Sequence, residues 1–346
     1  MAPKVVLGLS GGVDSAAAAL LLKRQGYEVH GVWLDLGFGS PEEARGAAAQ
    51  LGIGFSVFDA AEAHERLVRA PFAEIYRAGR TPNPCAVCNP GVKLPSLLRA
   101  AEAIGAEKIA TGHYAAVEER LGRPCLRRSG TDKDQSYMLA LVGPEILGRL
   151  LLPLSGRTKP ENRALAQEAG LHNAGAPDSQ DICFIPDGDY GSWLEARGQG
   201  LPEGSFVDAS GRVLGRHRGL HRYTVGQRRG LGVSAEGRLY VLRLRREDNA
   251  VVLGQEGELM TDSITVGNVV WGAMAPAEEP FRCEIKPRSR PARFSALVTP
   301  TEEGLRIDFD APLRRPAPGQ LAVGYDQEGF VLFGGTVLEE EGPAIL

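Results

Sequence analysis

The stretch Lys4 to Ser15, KVVLGLSGGVDS, decides the fold. Its first half is a short apolar run that reads as a buried strand. Ser10-Gly11-Gly12 then turns the chain into an alanine- and leucine-rich helix predicted over 13–25. A Ser-Gly-Gly turn at a helix start points successive backbone N–H groups into one concavity, and the helix dipole adds positive potential there. An anionic phosphate is the natural occupant. The pattern is not the Walker loop, whose glycines stand further apart and run into Gly-Lys-Ser/Thr, and it is not G-x-G-x-x-G. Asp14 among the phosphate-facing residues suggests a magnesium contact, because a carboxylate beside pyrophosphate is otherwise repulsive. The competing reading is a glycine turn that only reverses the chain; it leaves the full Ser-Gly-Gly-x-Asp-Ser between strand and helix unexplained.

Outward from this loop, strands and helices alternate. YEVHGVWLD (27–35) reads as a second strand, FSVFDA (55–60) as a third and AEKIATGH (106–113) as a fourth, with a helix over 95–104 before the last. Ser40-Pro41-Glu42-Glu43 predicts a capping box with proline at the first helical position, and Gly52 ends that helix. Strands separated by helices of this size imply a parallel sheet covered on both faces. Ligands of such sheets bind at the carboxyl ends of the strands, where SGGVDS, Leu34-Asp35 and TGHY lie.

From Leu147 the pattern is helical; Thr158-Lys159-Pro160-Glu161 predicts a second capping box and Gly170 a C-terminal cap. After about Gly198 the texture changes to short alternating segments split by glycine or proline turns, among them LYVLRLRR, AVVLG, ITVGNVVW, FSALVTP, LRIDF, LAVGYD and GFVLFGGTVL. This spacing predicts one or two small antiparallel barrels. Three domains follow: 1–198, with a helical part at about 134–198, then 199–259 and 260–346.

The composition, 43% hydrophobic and 24% charged over 346 residues, is that of a globular protein of two or three domains. No stretch resembles a signal peptide or approaches a bilayer-spanning apolar run, so a cytoplasmic location and no membrane partner are expected. In that reducing compartment the five cysteines (Cys85, Cys88, Cys125, Cys183, Cys283) are expected to be free, catalytic or metal-bound. The net charge of −4 gives no global sign of nucleic-acid binding. Locally, Gly211 to Gly230 holds six arginines and two histidines without an acid, and RCEIKPRSRPAR (282–293) has five basic residues against Glu284. Acids gather instead in LEEEG (338–342). The basic stretches fit a polyanion held in one groove, and equally a solvated arginine face.

SGGVDS resembles the pyrophosphate-binding loop of the ATP pyrophosphatases, which cleave ATP between its α and β phosphates and adenylate a substrate. GRTPNPCAVCN, TGHYA, KDQSYML, SQDICFIP and RYTVGQRRGLG, in this order over almost the whole length, resemble the tRNA-specific 2-thiouridylase family. The resemblance implies an adenine nucleotide alpha hydrolase-like α/β domain with a parallel sheet, followed by two small mainly β domains. It implies a sulfurtransferase that adenylates the C2 oxygen of the wobble uridine (position 34) of tRNA and replaces that oxygen with sulfur. The sulfur arrives as a persulfide from a sulfur-relay donor protein or cysteine desulfurase; ATP and Mg2+ take part. The chemistry is sensible: a urea-like oxygen is a poor leaving group until adenylated, and a persulfide is a better nucleophile than a thiol.

Residue by residue, the resemblance makes Cys88 the nucleophile and Cys183 the persulfide carrier, although 95 positions separate 88 from 183. It assigns Gly8, Leu9, Ser10, Gly11, Gly12, Val13, Asp14 and Ser15 to the ATP phosphates, and Leu34 and Gly112 to the adenosine. Asn83, Pro84 and Cys85 lie against the flipped target base. His113, Lys133, Asp134 and Gln135 fall to tRNA contact, as do Arg288, Ser289 and Gln320 in the last domain. His113 also has a bland reading, a core histidine with a satisfied N–H. Arg216, Arg218, Arg222, Arg228 and Arg229 are candidates for the tRNA surface, against a reading as structural arginines of a hairpin.

One departure matters. Many members carry Asp where this chain has Cys85, so Cys85, Cys88 and Cys183 make three thiols. Three could hold three irons of a [4Fe–4S] cluster with the fourth iron open to sulfide. The alternative is persulfide and disulfide chemistry without metal. Zinc is less natural, since a closed site needs a fourth ligand. Cys125 and Cys283 match no motif and read as ordinary core or loop thiols.

Overall fold

The structure is a computed structural model that describes residues 2–172, 174–175, 182–234 and 237–339. Ser179, Gln180 and Asp181 of SQDICFIP, and residues 340–342 of the acidic run, lie outside the described residues.

Alternation in β1 (Lys4–Gly8) sends Val5 and Leu7 into one buried cluster and Val6 into another, so the strand is covered on both faces. β2 (Glu28–Asp35), β3 (Gly54–Asp59), β4 (Lys108–Ala110) and β7 (Leu150–Leu151) join it in a parallel sheet of order β3-β2-β1-β4-β7. The order reverses direction between β1 and β4, which opens a crevice at the carboxyl ends of those two strands. β5 (Ala115–Arg120) and β6 (Arg123–Arg128), which the sequence pattern did not announce, form a separate hairpin.

Helix α1 (Val13–Arg24) begins at the glycine turn and ends one residue before the predicted limit, with Gln25 as its C-cap. The capping box expected at α2 (Glu42–Leu51) is absent. Pro41 is the N-cap, with helical backbone angles, and Ser40 Oγ only accepts from Glu42 N at 3.4 Å. The first turn of α2 is instead pressed onto the glycine loop: a Cβ on Gly11 would stand 2.8 Å from Glu43 Cβ. α3 (Ala61–His64) passes through a π-helical segment, Glu65–Arg69, into α4 (Ala70–Arg77). α5 (Pro84–Cys88) passes through a second, Asn89–Lys93, into α6 (Leu94–Ala103). α7 (Ser136–Leu139), α8 (Pro144–Leu147), α9 (Lys159–Glu168) and α10 (Tyr190–Ala196) complete the domain. At α9 the capping box forms as expected between Thr158 and Glu161.

The second domain is a four-stranded sheet of order β10-β11-β8-β9, from β8 (Gly204–Val207), β9 (Val213–His217), β10 (Tyr240–Arg245) and β11 (Ala250–Gly254). β8 and β11 pair in parallel, so among the described residues this sheet is mixed and not wholly antiparallel. The third is the expected barrel. β12 (Met260–Trp271), β13 (Phe281–Lys286), β14 (Phe294–Thr301), β15 (Gly304–Arg314), β16 (Leu321–Tyr325) and β17 (Val331–Val337) close in the order β12-β15-β14-β13-β16-β17. Leu321, Val323, Tyr325 and Val331 of the barrel share a buried cluster with Leu94, Leu97 and Ile109, so barrel and first domain pack as one body. Among the described residues no helix is long and apolar enough to cross a membrane.

Candidate active site

The glycine loop is held by its own hydroxyls. Ser15 Oγ donates to Gly12 O at 2.9 Å and stands 3.2 Å from Ser10 Oγ, and Gly12 N donates to Ser10 Oγ at 3.3 Å. Gly11 has φ +85°, a conformation that favours glycine. The N-cap of α1 is Gly12, which has no side chain to occupy the first-turn N–H groups. Gly112, just after β4, closes the floor: a Cβ there would lie 3.0 Å from Asp14 C and from Ser15 N. Leu34 is half-buried at the end of β2.

Both oxygens of Asp14 are engaged: Tyr114 Oη donates to Oδ1 at 2.5 Å and Lys159 Nζ donates to Oδ2 at 2.7 Å. Asn162 Nδ2 supports Tyr114 Oη at 3.0 Å. The carboxylate beside the phosphate concavity thus faces an ammonium from the first turn of α9. Lys159, seen in sequence only as part of a capping box, brings a cation to the phosphate site. The 145 positions between 14 and 159 explain why no local signal announced it.

The second half of the site is the turn before α5. Asn83 Oδ1 accepts from Ala86 N at 3.3 Å as N-cap, and Pro84 is the first helical residue, the arrangement these residue types favour. α5 therefore carries Cys85, partly accessible, and Cys88, only 4% exposed. Cys183 is exposed, whereas the next two residues, Phe184 and Ile185, are buried in the same cluster as Cys88. That anchor brings the distant thiol to the turn. Phe184 packs on Phe72, Trp193 and His64, with ring centroids 5.3, 5.2 and 5.6 Å away.

The electrostatics link these groups. Burial pushes the Cys88 thiol up to about 11; Lys93 pulls against this, while Cys183 and Cys85 add to it. The protein packed around the Cys183 thiol raises it in the same direction, although the residue as a whole is exposed. Burial opposes the Lys93 ammonium, but the sulfurs of Cys88, Cys85 and Cys183 outweigh it and the pKa is raised. Lys93 is a site residue that the sequence reading missed. At α-helical spacing five residues place it about 140° around the helix from Cys88. The π-helical segment Asn89–Lys93 lengthens the turn and brings it back to the sulfurs. His113 is pushed down to about 3, first by burial and then by Lys93, so its imidazole is neutral; Nδ1 lies 2.8 Å from Thr111 Oγ1.

The remaining predicted residues are placed as follows. Lys133 lies over the Tyr114 ring, 5.6 Å from its centroid, and Gln135 Oε1 accepts from Tyr114 N at 3.0 Å, so both buttress the phosphate site. Asp134 has a side chain only 7% exposed; it accepts from Ser129 N and Ser136 N and faces Arg128 and Lys286 at 3.6 and 3.9 Å. Its side chain joins the first domain to the barrel through Lys286. Arg288 donates to Arg314 O at 2.7 Å, Ser289 is exposed, and Gln320 reaches back to the thiol turn.

Of the basic stretches, Arg222 is bound to Glu195 and Asp189, Arg282 to Asp310 and Arg293 to Glu284, and Lys286 is buried. Arg216, Arg218, Arg228 and Arg229 are exposed. Cys125 is buried, as expected of a core thiol, and Cys283 is partly buried. No group of three His, Cys, Asp or Glu side chains among the described residues is arranged to hold a metal ion. The three thiols as placed therefore do not fit a ready cluster site.

Three family models tile the chain: the tRNA methyl transferase HUP domain over residues 3–187, its PRC-barrel domain over 193–255 and the aminomethyltransferase beta-barrel domain over 261–338. The tRNA-specific 2-thiouridylase MnmA of Acetivibrio thermocellus is 40% identical over 357 residues, covering 97% of this chain and 99% of that protein. That of Acidithiobacillus ferrooxidans is 43% identical over 343 residues, covering 96% and 97%. The chain belongs to the tRNA-specific 2-thiouridylase family. Within this thiouridylase, Lys93 is close enough to His113 and to Cys85, Cys88 and Cys183 to act on them electrostatically, and Gly112, next to His113 in sequence, packs on the glycine loop.

Proposed function

We propose that the protein is an ATP-dependent tRNA-uridine 2-sulfurtransferase acting on the C2 oxygen of the wobble uridine (position 34). The observation that carries this reading is the juxtaposition of Cys88, Cys85 and Cys183 around Lys93, with His113 leading to the Asp14–Lys159 phosphate site. The HUP-domain model's description speaks of methyl transfer. A group of thiols with a companion ammonium is suited to sulfur transfer instead.

In this reading the loop N–H groups of residues 8–15 and Lys159 hold the ATP phosphates, with Leu34 and Gly112 at the adenosine. Asp14 is the residue that would hold magnesium, which would supply positive charge at the phosphates. The flipped base rests on Asn83, Pro84 and Cys85, and its C2 oxygen attacks the α-phosphorus, expelling pyrophosphate. The Cys183 persulfide, loaded by a sulfur donor protein, attacks C2 with its terminal sulfur and AMP leaves. Cys88 then attacks the Cys183 Sγ; the S–S bond breaks, sulfur stays on C2 as 2-thiouridine, and a Cys88–Cys183 disulfide remains for an external thiol to reduce. Lys93 offsets the negative charge that develops on sulfur. Lys133, Gln135, Arg288, Ser289 and the exposed Arg216, Arg218, Arg228 and Arg229 are the candidates that meet tRNA, largely through its backbone. A [4Fe–4S] cluster on Cys85, Cys88 and Cys183 is the alternative, and iron and sulfide analysis after anaerobic purification tests it.

The deciding experiment incubates the protein with ATP, magnesium, a persulfide donor and unmodified tRNA. Wobble 2-thiouridine formed with equimolar AMP is the expected result. AMP release that needs a small amine or acid and no tRNA would contradict it.

A further inference from the structure

At Thr81, two residues before the cap of the thiol-bearing helix, all three domains meet. Thr81 N donates to Pro318 O at 2.8 Å. The Gln320 carboxamide Nε2 donates to Thr81 O at 3.3 Å and to Pro82 O at 3.2 Å. From the second domain, Thr224 Oγ1 accepts from Thr81 Oγ1 at 3.3 Å. The approach is close. Gly319 has φ +89°, and a Cβ on it would stand 2.8 Å from Thr81 O.

Both ends of this clasp are stiff. Gln320 N donates to Ala317 O at 3.1 Å and Gln320 O accepts from Val337 N at 2.8 Å, so its side chain projects from a pinned barrel turn. On the other side, Pro82 and Pro84 fix two φ angles, and Asn83 before Pro84 is restricted as well. A displacement at Thr81 therefore passes to α5 and its thiols instead of being absorbed in the turn. Tyr137 adds a parallel strut: its hydroxyl donates to Leu321 O at 2.6 Å and also bonds Asn83.

We propose that Gln320, assisted by Thr224, is a positioning residue for sulfur transfer, which sets the place of the Cys88 turn from the two β domains. This rests on the thiouridylase reading. The carboxamide suits the task because its two N–H bonds satisfy two neighbouring carbonyls. Gln320→Glu would set carboxylate oxygens against those carbonyls at nearly unchanged volume. Gln320→Ala would leave both carbonyls without the donor.

The test measures three quantities on full-length protein: the single-turnover thiolation rate at saturating tRNA and ATP, the tRNA Kd, and iodoacetamide labelling of each cysteine without RNA. Gln320→Glu is expected to lower the thiolation rate about 10- to 100-fold, the scale of an ångström-level misplacement. The Kd should stay within about threefold, and Cys88 labelling should rise at least about fivefold while buried Cys125 is unchanged. Thr224→Val, which removes the hydroxyl bonded to Thr81 and also to Tyr76 and Tyr190, should slow thiolation by about two- to fivefold. A weakened Kd with an unchanged saturated rate would make Gln320 an RNA contact and overturn the proposal. So would equal rises at Cys88 and Cys125, which mean general loosening, or wild-type behaviour in all three measurements. If the wild-type protein makes no 2-thiouridine, the functional reading fails, and the labelling comparison still decides whether Gln320 places the turn.

Discussion

The two halves of the crevice are built differently. The phosphate half is mainly backbone: a glycine turn, a helix start and the close approach of Gly112, set by residues adjacent in sequence or by neighbouring strands, with the Lys159 side chain brought to it from α9. The thiol half is side chain. Cys88 on α5, Cys183 beyond α9 and Lys93 on a π-helical segment converge only because Phe184, Asn83 and the two β domains hold them. Sites made of backbone are legible in short motifs, whereas sites made of converging side chains depend on tertiary contacts that no local pattern carries.

Replacements can break this contrast. Among the lysine and histidine replacements, the largest effect is expected from Lys159→Met, which strips the phosphate half of its ammonium. Pyrophosphate release on tRNA addition should fall about 100-fold, the scale of losing one preorganised charge at a reacting centre. Cys88 and Cys183 labelling should be unchanged. Altered thiol reactivity would mean the halves are not separable.

Next in size, Lys93→Met should slow sulfur transfer about tenfold while sparing pyrophosphate release. Because Cys88 is raised to about 11, it is a thiol at neutral pH. Its thiolate fraction, and the disulfide-forming step, should grow about tenfold per pH unit between roughly pH 7 and 9. Lys93 lowers this pKa, so its loss should shift the profile to higher pH with the same slope. A rate independent of pH would remove Cys88 from that step.

A smaller effect concerns the scaffold. His64 is fully buried between Phe38 and Phe184, neither ring nitrogen has a partner among the described residues, and burial pushes its pKa down to about 4. The unfolded chain takes up this proton below about pH 6.5 and the folded one only near 4. Stability is therefore complete above pH 6.5 and falls as pH drops towards 4, by about 3 kcal/mol in total. His64→Phe should flatten the acid limb in chemical denaturation without abolishing it, since His113, pushed down to about 3, contributes with the same sign.

The contrast also explains what could be read beforehand. KVVLGLSGGVDS marked β1, the loop and α1 because strand period, glycine and helix start are contiguous. Thr158-Lys159-Pro160-Glu161 gave its cap for the same reason. Ser40-Pro41-Glu42-Glu43 offered the same residue types, but the contact of Gly11 with Glu43 governs that helix start. The parallel pairing of β8 with β11 joins segments more than forty positions apart, so alternation alone read as antiparallel. Lys93 was hidden by a non-α turn, Lys159 by distance along the chain, and the place of Gln320 by an interdomain clasp.

The central claim is that the two halves act in turn on one base, adenylation at the loop and sulfur transfer at the thiols. Cys88→Ser tests it most directly when pyrophosphate and 2-thiouridine are measured in the same single-turnover reaction. The account predicts tRNA-dependent pyrophosphate release within about threefold of wild type, with 2-thiouridine reduced at least about 1,000-fold. Full thiolation, or loss of both products together, would contradict it.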